Sequence, residues 1–552
     1  MKVRYLHILI FLSSLIFFSS CRNGSASKDY IVIGIAQDVE SINPLFAFSV
    51  DEGSISELLY LGMVQHDWDE QKGEITSEPL LAKDWEWDPD TSSITINLRS
   101  DVKWSDGELL TANDVAFSFD IFSDPAVDSR LFGSFEKFYT DSTGHILADK
   151  TFQILSDHKL KINFIPHSHP TLFNIDIPIL PEHIFSKINR KELATSDLNS
   201  KPVTNGPYRL NNWDKNQSLT LKADSSSFLY HDGIINRIVF KIIPEYTSRV
   251  TQLKKGEIDL CELIKPEDTP ELKKQENIEI IPVKGREYEY VGWNNIDPDA
   301  FNNSGKLVPN KFFGSEKTRR ALSYAINKKE ILEEYLHNYG QLAVGPVSPI
   351  FKEVINNNVK PYSYDPAKAK QLLNEEGWKD TNNDGILDKN GVKFSFDLYI
   401  PGGNPLRNYS ATVIKNDLKN IGISVNIQTM ELNTFLDNLF SKKFNAWIAS
   451  WYIAIPLDVK MMWYSDIKST PLNVQSYSNK QIDKILDEIE QSPDKEKLHE
   501  LYKQFQEIMH NDEPVTFLYW IDDITAHNKR IKNIDINPLG VIHHCWNWEL
   551  EE

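Results

Sequence analysis

The chain has 552 residues, 41% of them hydrophobic and 25% charged, with a formal net charge of −20. That length exceeds what a single hydrophobic core supports, so two or more lobes are expected, and the composition argues against long disorder. So acidic a surface repels phosphate backbones, which speaks against nucleic acid as a partner.

The N-terminus differs from the rest. Lys2 and Arg4 precede an apolar run from Ile8 to Phe18, then Ser19, Ser20 and Cys21, after which Arg22 to Lys28 is polar. The apolar run is short for a membrane span, so residues 1–20 read as an export signal. Cys21 after two small residues resembles a bacterial lipobox, with Phe18 departing from the usual Leu. Cys21 is then the expected lipidation site and 21–27 a tether, acyl chains holding the protein at a bilayer through buried methylenes. Of the remaining thiols, Cys261 and Cys545 either pair or stay buried and free; two do not make a disulfide framework.

Tyr30 to Ala36 (YIVIGIA) is apolar and β-branched, a buried first strand. Ile94, Ile96 and Leu98 alternate with polar residues, a half-buried strand. Thr111 stands three residues before Asp114, a helix N-cap pattern with Val115 and Phe119 one turn apart behind it. Ala321, Leu322, Ala325, Leu332, Tyr335 and Leu336 mark a further helical stretch. Asp365 and Pro366 open a helix that carries Leu372 and Leu373 and stops at Gly377, and Ser492 with Pro493 opens another carrying Leu498, Leu501, Phe505 and Ile508. Strands and helices without strict βαβ order predict an α/β fold with mixed sheets.

Dispersed segments resemble the extracellular solute-binding protein family of oligopeptide, dipeptide and nickel importers (family 5 type). The most specific is Val102 to Phe119 (VKWSDGELLTANDVAFSF); Asn205 to Leu210 (NGPYRL), Lys255 to Leu260 (KGEIDL) and Arg319 to Ile331 (RRALSYAINKKEI) follow in family order. Tyr364 to Trp378, Ile421 to Ile427 and Tyr477 to Tyr519 carry the similarity to the end. The resemblance implies a bilobed periplasmic-binding-protein-like fold of three domains. These are a discontinuous domain I (28–72, 200–291 and 519–552), domain II (73–199) in the same lobe, and domain III (292–518) as the opposing lobe, with a hinge near Tyr288 to Asn294 and Val515 to Ile521. It also implies capture of a peptide or other small molecule between the lobes and delivery to ABC permease subunits. The protein is expected to be a binder rather than an enzyme, monomeric, without a cofactor, lipid-anchored at a bacterial membrane and facing the periplasm or the exterior. A nickel or metallophore importer component and a ligand-sensing receptor are the alternatives on the same fold.

The resemblance puts the cleft at Phe444 to Asp458, with Ser450, Trp451 and Tyr452 lining the ligand and Trp447 in the core; Trp463 and Tyr464 lie just beyond, in cleft or core. Peptide-binding members place an Asp three residues after the Trp to meet the ligand's α-ammonium, and here that position is Ala454. Asp458 is the substitute if the loop is shifted; otherwise the ligand is a blocked peptide, another metabolite or a metal chelate. Arg407 sits where some relatives place a cation for a ligand carboxylate, while on its own it reads as a solvated loop residue. Gln37 to Pro44, including Asn43, follows the first strand where the family's ligand backbone runs.

Other clusters read as structural. Asp380, Asn382 and Asp384 have calcium-loop spacing, but Gly391 takes the place of the bidentate acid. His543 and His544, and His167 and His169, read as strand residues, on opposite faces and on one face respectively, and neither pair makes a metal site. No GxSxG, HExxH, Walker or GxGxxG motif occurs, and Ser-x-x-Lys at Ser134, Ser465 and Ser492 is scattered.

Overall fold

The computed structural model describes residues 29–551; Cys21 and the segments 1–20 and 21–27 read as an export signal and a tether lie outside the described residues. In chain order, β1 (Tyr30–Ile35) is followed by α1 (Val50–Glu57) and a hairpin of β2 (Val64–Asp69) and β3 (Glu74–Pro79). β4 (Ala82–Trp87), β5 (Ser93–Leu98), α2 (Ala112–Ser123), β6 (Phe152–Ser156) and β7 (Lys159–Asn163) come next, and the strands form an antiparallel sheet in the order β4-β5-β7-β6. β8 (Tyr208–Asp214), β9 (Ser218–Ala223), β10 (Arg237–Ile242) and β11 (Leu260–Cys261) precede the long β12 (Ile278–Trp293). The second half holds α3 (Glu316–Ala325), β13 (Gly340–Leu342), α4 (Pro366–Glu375), a small hairpin β14 (Asp388–Lys389) and β15 (Val392–Lys393), and β16 (Ser395–Pro401). α5 (Pro405–Asn420), β17 (Ser424–Met430), α6 (Leu432–Phe440), β18 (Ala446–Tyr452), α7 (Lys480–Gln491), α8 (Lys495–Asp512) and β19 (Val515–Asn528) follow, and β20 (Ile531–Lys532) pairs with β21 (Glu549–Leu550) after them.

One mixed eleven-stranded sheet runs through the molecule in the order β17-β16-β18-β12-β19-β11-β1-β10-β9-β8, with β13 on β19. β1 is parallel to β10 and β11, and β16 to β17 and β18, whereas β12 is antiparallel to β18 and β19. One continuous apolar core joins residues from Ile31 to Leu260 with Ile531 to Trp548, and two more lie between Tyr288 and Trp520. Hydrophobic burial of this kind is what holds each lobe together.

β12 and β19 pair from Ile278↔Asn528 to Gly292↔Val515 and so run from one set of cores into the other. The register shifts between Val283 and Glu287 and again between Glu289 and Tyr290. Gly285 sits inside the first irregularity, where a Cβ would lie 1.6 Å from the carbonyl oxygen of Ile521, so no side chain fits there. Bulges bend and twist a ladder locally, and these lie on the stretch that leads from one set of cores into the other.

The predicted α2 cap forms: Asp114 Oδ2 accepts from Thr111 N at 2.8 Å, and Val115 and Phe119 are fully buried. Four expectations are corrected. The helical stretch at Ala321 breaks at Ile326, which is extended, because Asn327 N donates to Asp417 Oδ2 at 2.8 Å and Asn327 caps a new turn. α8 is capped by Asp494, whose side chain accepts from Lys497 N, and Ser492 only supports that cap. His167 and His169 are not on a strand; both have left-handed backbone, with φ of 65° and 47°. His543 and His544 occupy a turn, and their ring centres lie 3.7 Å apart, tilted by 33°, instead of facing apart, because His543 Nε2 pairs with the His66 carbonyl and His544 Nδ1 with Asp67.

Candidate functional site

The C-terminal end of β18 lies against β12 beside the β12–β19 irregularities, with Ser450 opposite Glu289, Trp451 opposite Tyr288 and Tyr452 opposite Glu287. Residues 288–293 of β12 are buried on both faces, so the run YEYVGW places one carboxylate, Glu289, at 1% exposure among aromatic and aliphatic side chains. A buried charge needs a charged partner. Arg407 supplies it: Nε donates to Glu289 Oε1 and Oε2 at 2.9 and 3.2 Å, and Nη2 donates to Ser450 Oγ at 2.7 Å. Burial pushes the Glu289 carboxyl upward and Arg407 opposes it. Burial also acts to lower the Arg407 pKa, but Glu289 outweighs it and holds the guanidinium above its usual value.

The reading of Arg407 as a solvated loop residue is therefore corrected. It lies in the first turn of α5, its backbone N donating to the capping Asn404 side chain, and its own side chain is 14% exposed. Arg286 forms the second cationic position: Nη2 donates to Tyr452 Oη at 2.8 Å, Nη1 to the Ile453 carbonyl at 3.1 Å, and the guanidinium lies 4.4 Å from the Tyr452 ring centre. Tyr452 is 56% exposed, Trp451 is half-buried against the second lobe, and Trp447 and Trp463 are core residues.

The other residues named from the sequence scatter. Ala454 is exposed, directly after Ile453, whose N donates to the Arg286 carbonyl. Asp458 is exposed and caps the turn at Lys460, accepting from its N at 2.8 Å, and Tyr464 donates to Asp487 at 3.2 Å. Gln37 is exposed just beyond β1. Asn43 is 3% exposed, and its amide joins Asn199 and the Leu45 N.

Residues 76–471 match the family described as bacterial extracellular solute-binding proteins, family 5 middle. The chain belongs to this family. The oligopeptide-binding protein AppA of Bacillus subtilis is 26% identical over 562 residues, spanning 97% of this chain and 96% of that protein. AppA in complex with a nonapeptide superposes with a TM-score of 0.70 at 25% identity, covering 95% of this chain and 99% of that one. NikZ from Campylobacter jejuni in complex with Ni(L-His) gives a TM-score of 0.71 at 26% identity, with the same coverage. The bilobed fold with mixed sheets expected of the family is the fold found.

Within this solute-binding protein, sequence reasoning missed a set of acids beside the Arg286–Tyr452 pair. Burial pushes the Glu262 carboxyl up to about 7, and repulsion from Asp51 and Asp523 adds to it. Asp523 is pushed up to about 6, by burial first and then by Glu287, and Asp51 is raised by burial and by Glu52. The signal was present: Glu287 and Glu289 stand inside the β12 run, and Asp522 and Asp523 interrupt the apolar β19. Asp522 is accounted for, with Lys284 Nζ at 2.9 Å from its Oδ2.

The calcium-like loop is occupied by its own groups. Asp380 accepts from the backbone N of Asp384 and Gly385 at 3.1 and 2.9 Å, Asp384 pairs with Lys393 and with the Asn382 amide, and Asp388 accepts from Thr381. Among the described residues no group of three or more His, Cys, Asp or Glu is placed to hold a metal ion, and no helix is long and apolar enough to cross a membrane. Cys261 and Cys545 are both buried and free. Two hollows of about 790 and 430 Å³ lie elsewhere, one over the outer face of β9 and β10 and one near Ser476 and Arg319, and neither is lined by a residue named above as a site.

Proposed function

We propose that this chain is the solute-capturing component of a bacterial ABC importer. It holds a peptide between two lobes and passes it unchanged to a membrane permease. The observation that carries the reading is likeness over nearly the whole length to AppA, including AppA with a bound nonapeptide. The lobes are residues 28–291 with 519–552 and residues 292–518, and the hinge lies where β12 and β19 change register. Ligand favours closure because it contacts both lobes at once. Peptide adds to strand edges through backbone hydrogen bonds, which suits the exposed end of β18 at Tyr452.

The charge of the cleft refines the ligand. Ala454 leaves no carboxylate at the position from which the resemblance implies an α-ammonium clamp, while Glu262, Asp523, Asp51 and Glu287 form a chain of mutually repelling acids, with Arg286 acting on Asp523. A neutral or cationic ligand fits this balance better than an anionic one. Calorimetry with an alanine tripeptide, a basic nonapeptide and the Ni(L-His) complex tests the reading. Heat only from the nickel complex would favour the second reading, metal-chelate import, to which the likeness to NikZ points.

Anchoring at a bacterial membrane through lipid on Cys21, facing the periplasm or exterior, completes the proposal. Cys21→Ala is expected to move the protein from the membrane to the soluble fraction, and unchanged fractionation would remove the anchor from the account.

A further inference from the structure

A Glu289–Arg407–Ser450 chain stands at the C-terminal end of β18. Arg407 is the cation of this wall nearest Ser450, yet Nε and Nη2 are already committed, to Glu289 at 2.9 and 3.2 Å and to Ser450 at 2.7 Å. Only Nη1 makes no hydrogen bond among the described residues. Glu289 has no competing cation within hydrogen-bond distance and is fully enclosed, so it cannot turn to water and release the guanidinium. An anion arriving at Arg407 therefore meets a pair whose charges already cancel, and it must also approach Glu289 itself. Such a pair offers the two N–H groups of Nη1 without the net positive charge that a carboxylate clamp needs.

We infer that Glu289 is a specificity-determining positioning residue. By neutralising Arg407 and aligning it on Ser450, it makes this wall of the cleft accept a neutral polar group, such as a peptide carbonyl or an amide, in preference to a carboxylate. The ligand class that follows is one whose carboxyl end does not stop at Arg407: a longer peptide crossing the site by its backbone, or an amidated or otherwise uncharged end. The inference deepens the proposed capture of peptides but rests on contacts within this chain, so it is tested with probes that need no peptide binding.

Acetate and acetamide are titrated at constant ionic strength while tryptophan fluorescence is followed, Trp451 being the neighbour of Ser450. The wild type should bind acetamide more tightly than acetate, by about twofold or more. Glu289→Gln, which removes the charge and keeps the shape, should bind acetate at least about tenfold more tightly than the wild type, with acetamide unchanged. Glu289→Asp, which keeps the charge, should show no such gain, a distinction that a merely structural role would not produce. A wild type that prefers acetate tenfold overturns the inference even if no variant folds. So does a Glu289→Gln protein of native circular dichroism that binds acetate no better. If acetate and acetamide behave as expected but no peptide binds, this inference stands and the peptide reading falls.

Discussion

At the scale of single residues, the raised carboxyls of Glu262 and Asp523 tie stability to pH. Glu262 has its carboxyl raised to about 7 by burial and by neighbouring Asp51 and Asp523. A carboxyl raised on folding binds its proton more tightly in the native state. Its stabilising contribution is complete below the ordinary value of 4.5 and is lost as pH rises through about 7. Glu262→Gln removes that loss, so the variant should gain stability over the wild type at pH 8, by about 3 kcal/mol at most, and show little difference at pH 4. Urea denaturation at the two pH values checks this; an equal difference at both would mean that Glu262 carries no raised carboxyl. The crossing at Tyr288 to Asn294 and Val515 to Ile521 was expected from the family resemblance alone. The acids were not, since an Asp or Glu in a sequence does not reveal whether an Arg 118 positions away, as Arg407 is from Glu289, will meet it.

At the scale of elements, the most specific stretch of the sequence proves to be a fastening. Thr-Ala-Asn-Asp-Val-Ala-Phe-Ser-Phe opens α2, and Asp114 accepts from Thr111 N and Oγ1 with one oxygen and from Glu182 N with the other. Ser118, one turn on, accepts from Leu180 N at 2.8 Å. The motif thus pins residues 180–182 to the helix start, and Asp114 is 4% exposed. Asp114→Ala removes a cap and orphans a partly buried N–H, so a loss of about 2–4 kcal/mol is expected in the urea midpoint, with ligand affinity per folded molecule unchanged. A loss under about 0.5 kcal/mol would make the contact dispensable. This cap and that of Asp365 on α4 were readable because both are local, within three residues of the N–H they serve. The break at Ile326 and the turn at His543 were not, because Asp417 and His66, distant in sequence, decide them.

At the scale of the whole molecule, β12 and β19 are not the sole contact between lobes. The tip of the β2–β3 hairpin reaches the second lobe. Glu70 Oε1 pairs with Lys352 at 2.8 Å, Glu353 N donates to the Lys72 carbonyl at 3.2 Å, Glu74 pairs with Lys495, and the Trp68 ring meets Phe351 edge-on at 6.1 Å. Gly73, at φ +67°, sits where a Cβ would lie 1.9 Å from the Ile350 carbonyl, so only glycine allows this approach. The bilobed plan was legible from the family resemblance, but this strap was not: its halves lie 282 positions apart at Glu70 and Lys352 and share no periodic pattern. Exposed ion pairs contribute little, so the aromatic contact dominates, at about 0.5–1.5 kcal/mol. If the strap holds the closed arrangement, Trp68→Ala should shift the closed-to-open ratio about three- to tenfold toward open. The radius of gyration from small-angle scattering should rise in unliganded protein, and every ligand should weaken by one common factor no larger than that shift. Closure energy is shared by all ligands, whereas a contact to the ligand itself is not. A Trp68→Ala protein whose affinity loss differs between an uncharged and a basic peptide would place Trp68 in the binding wall, and one with unchanged scattering and affinity would leave the hairpin without a part in closure.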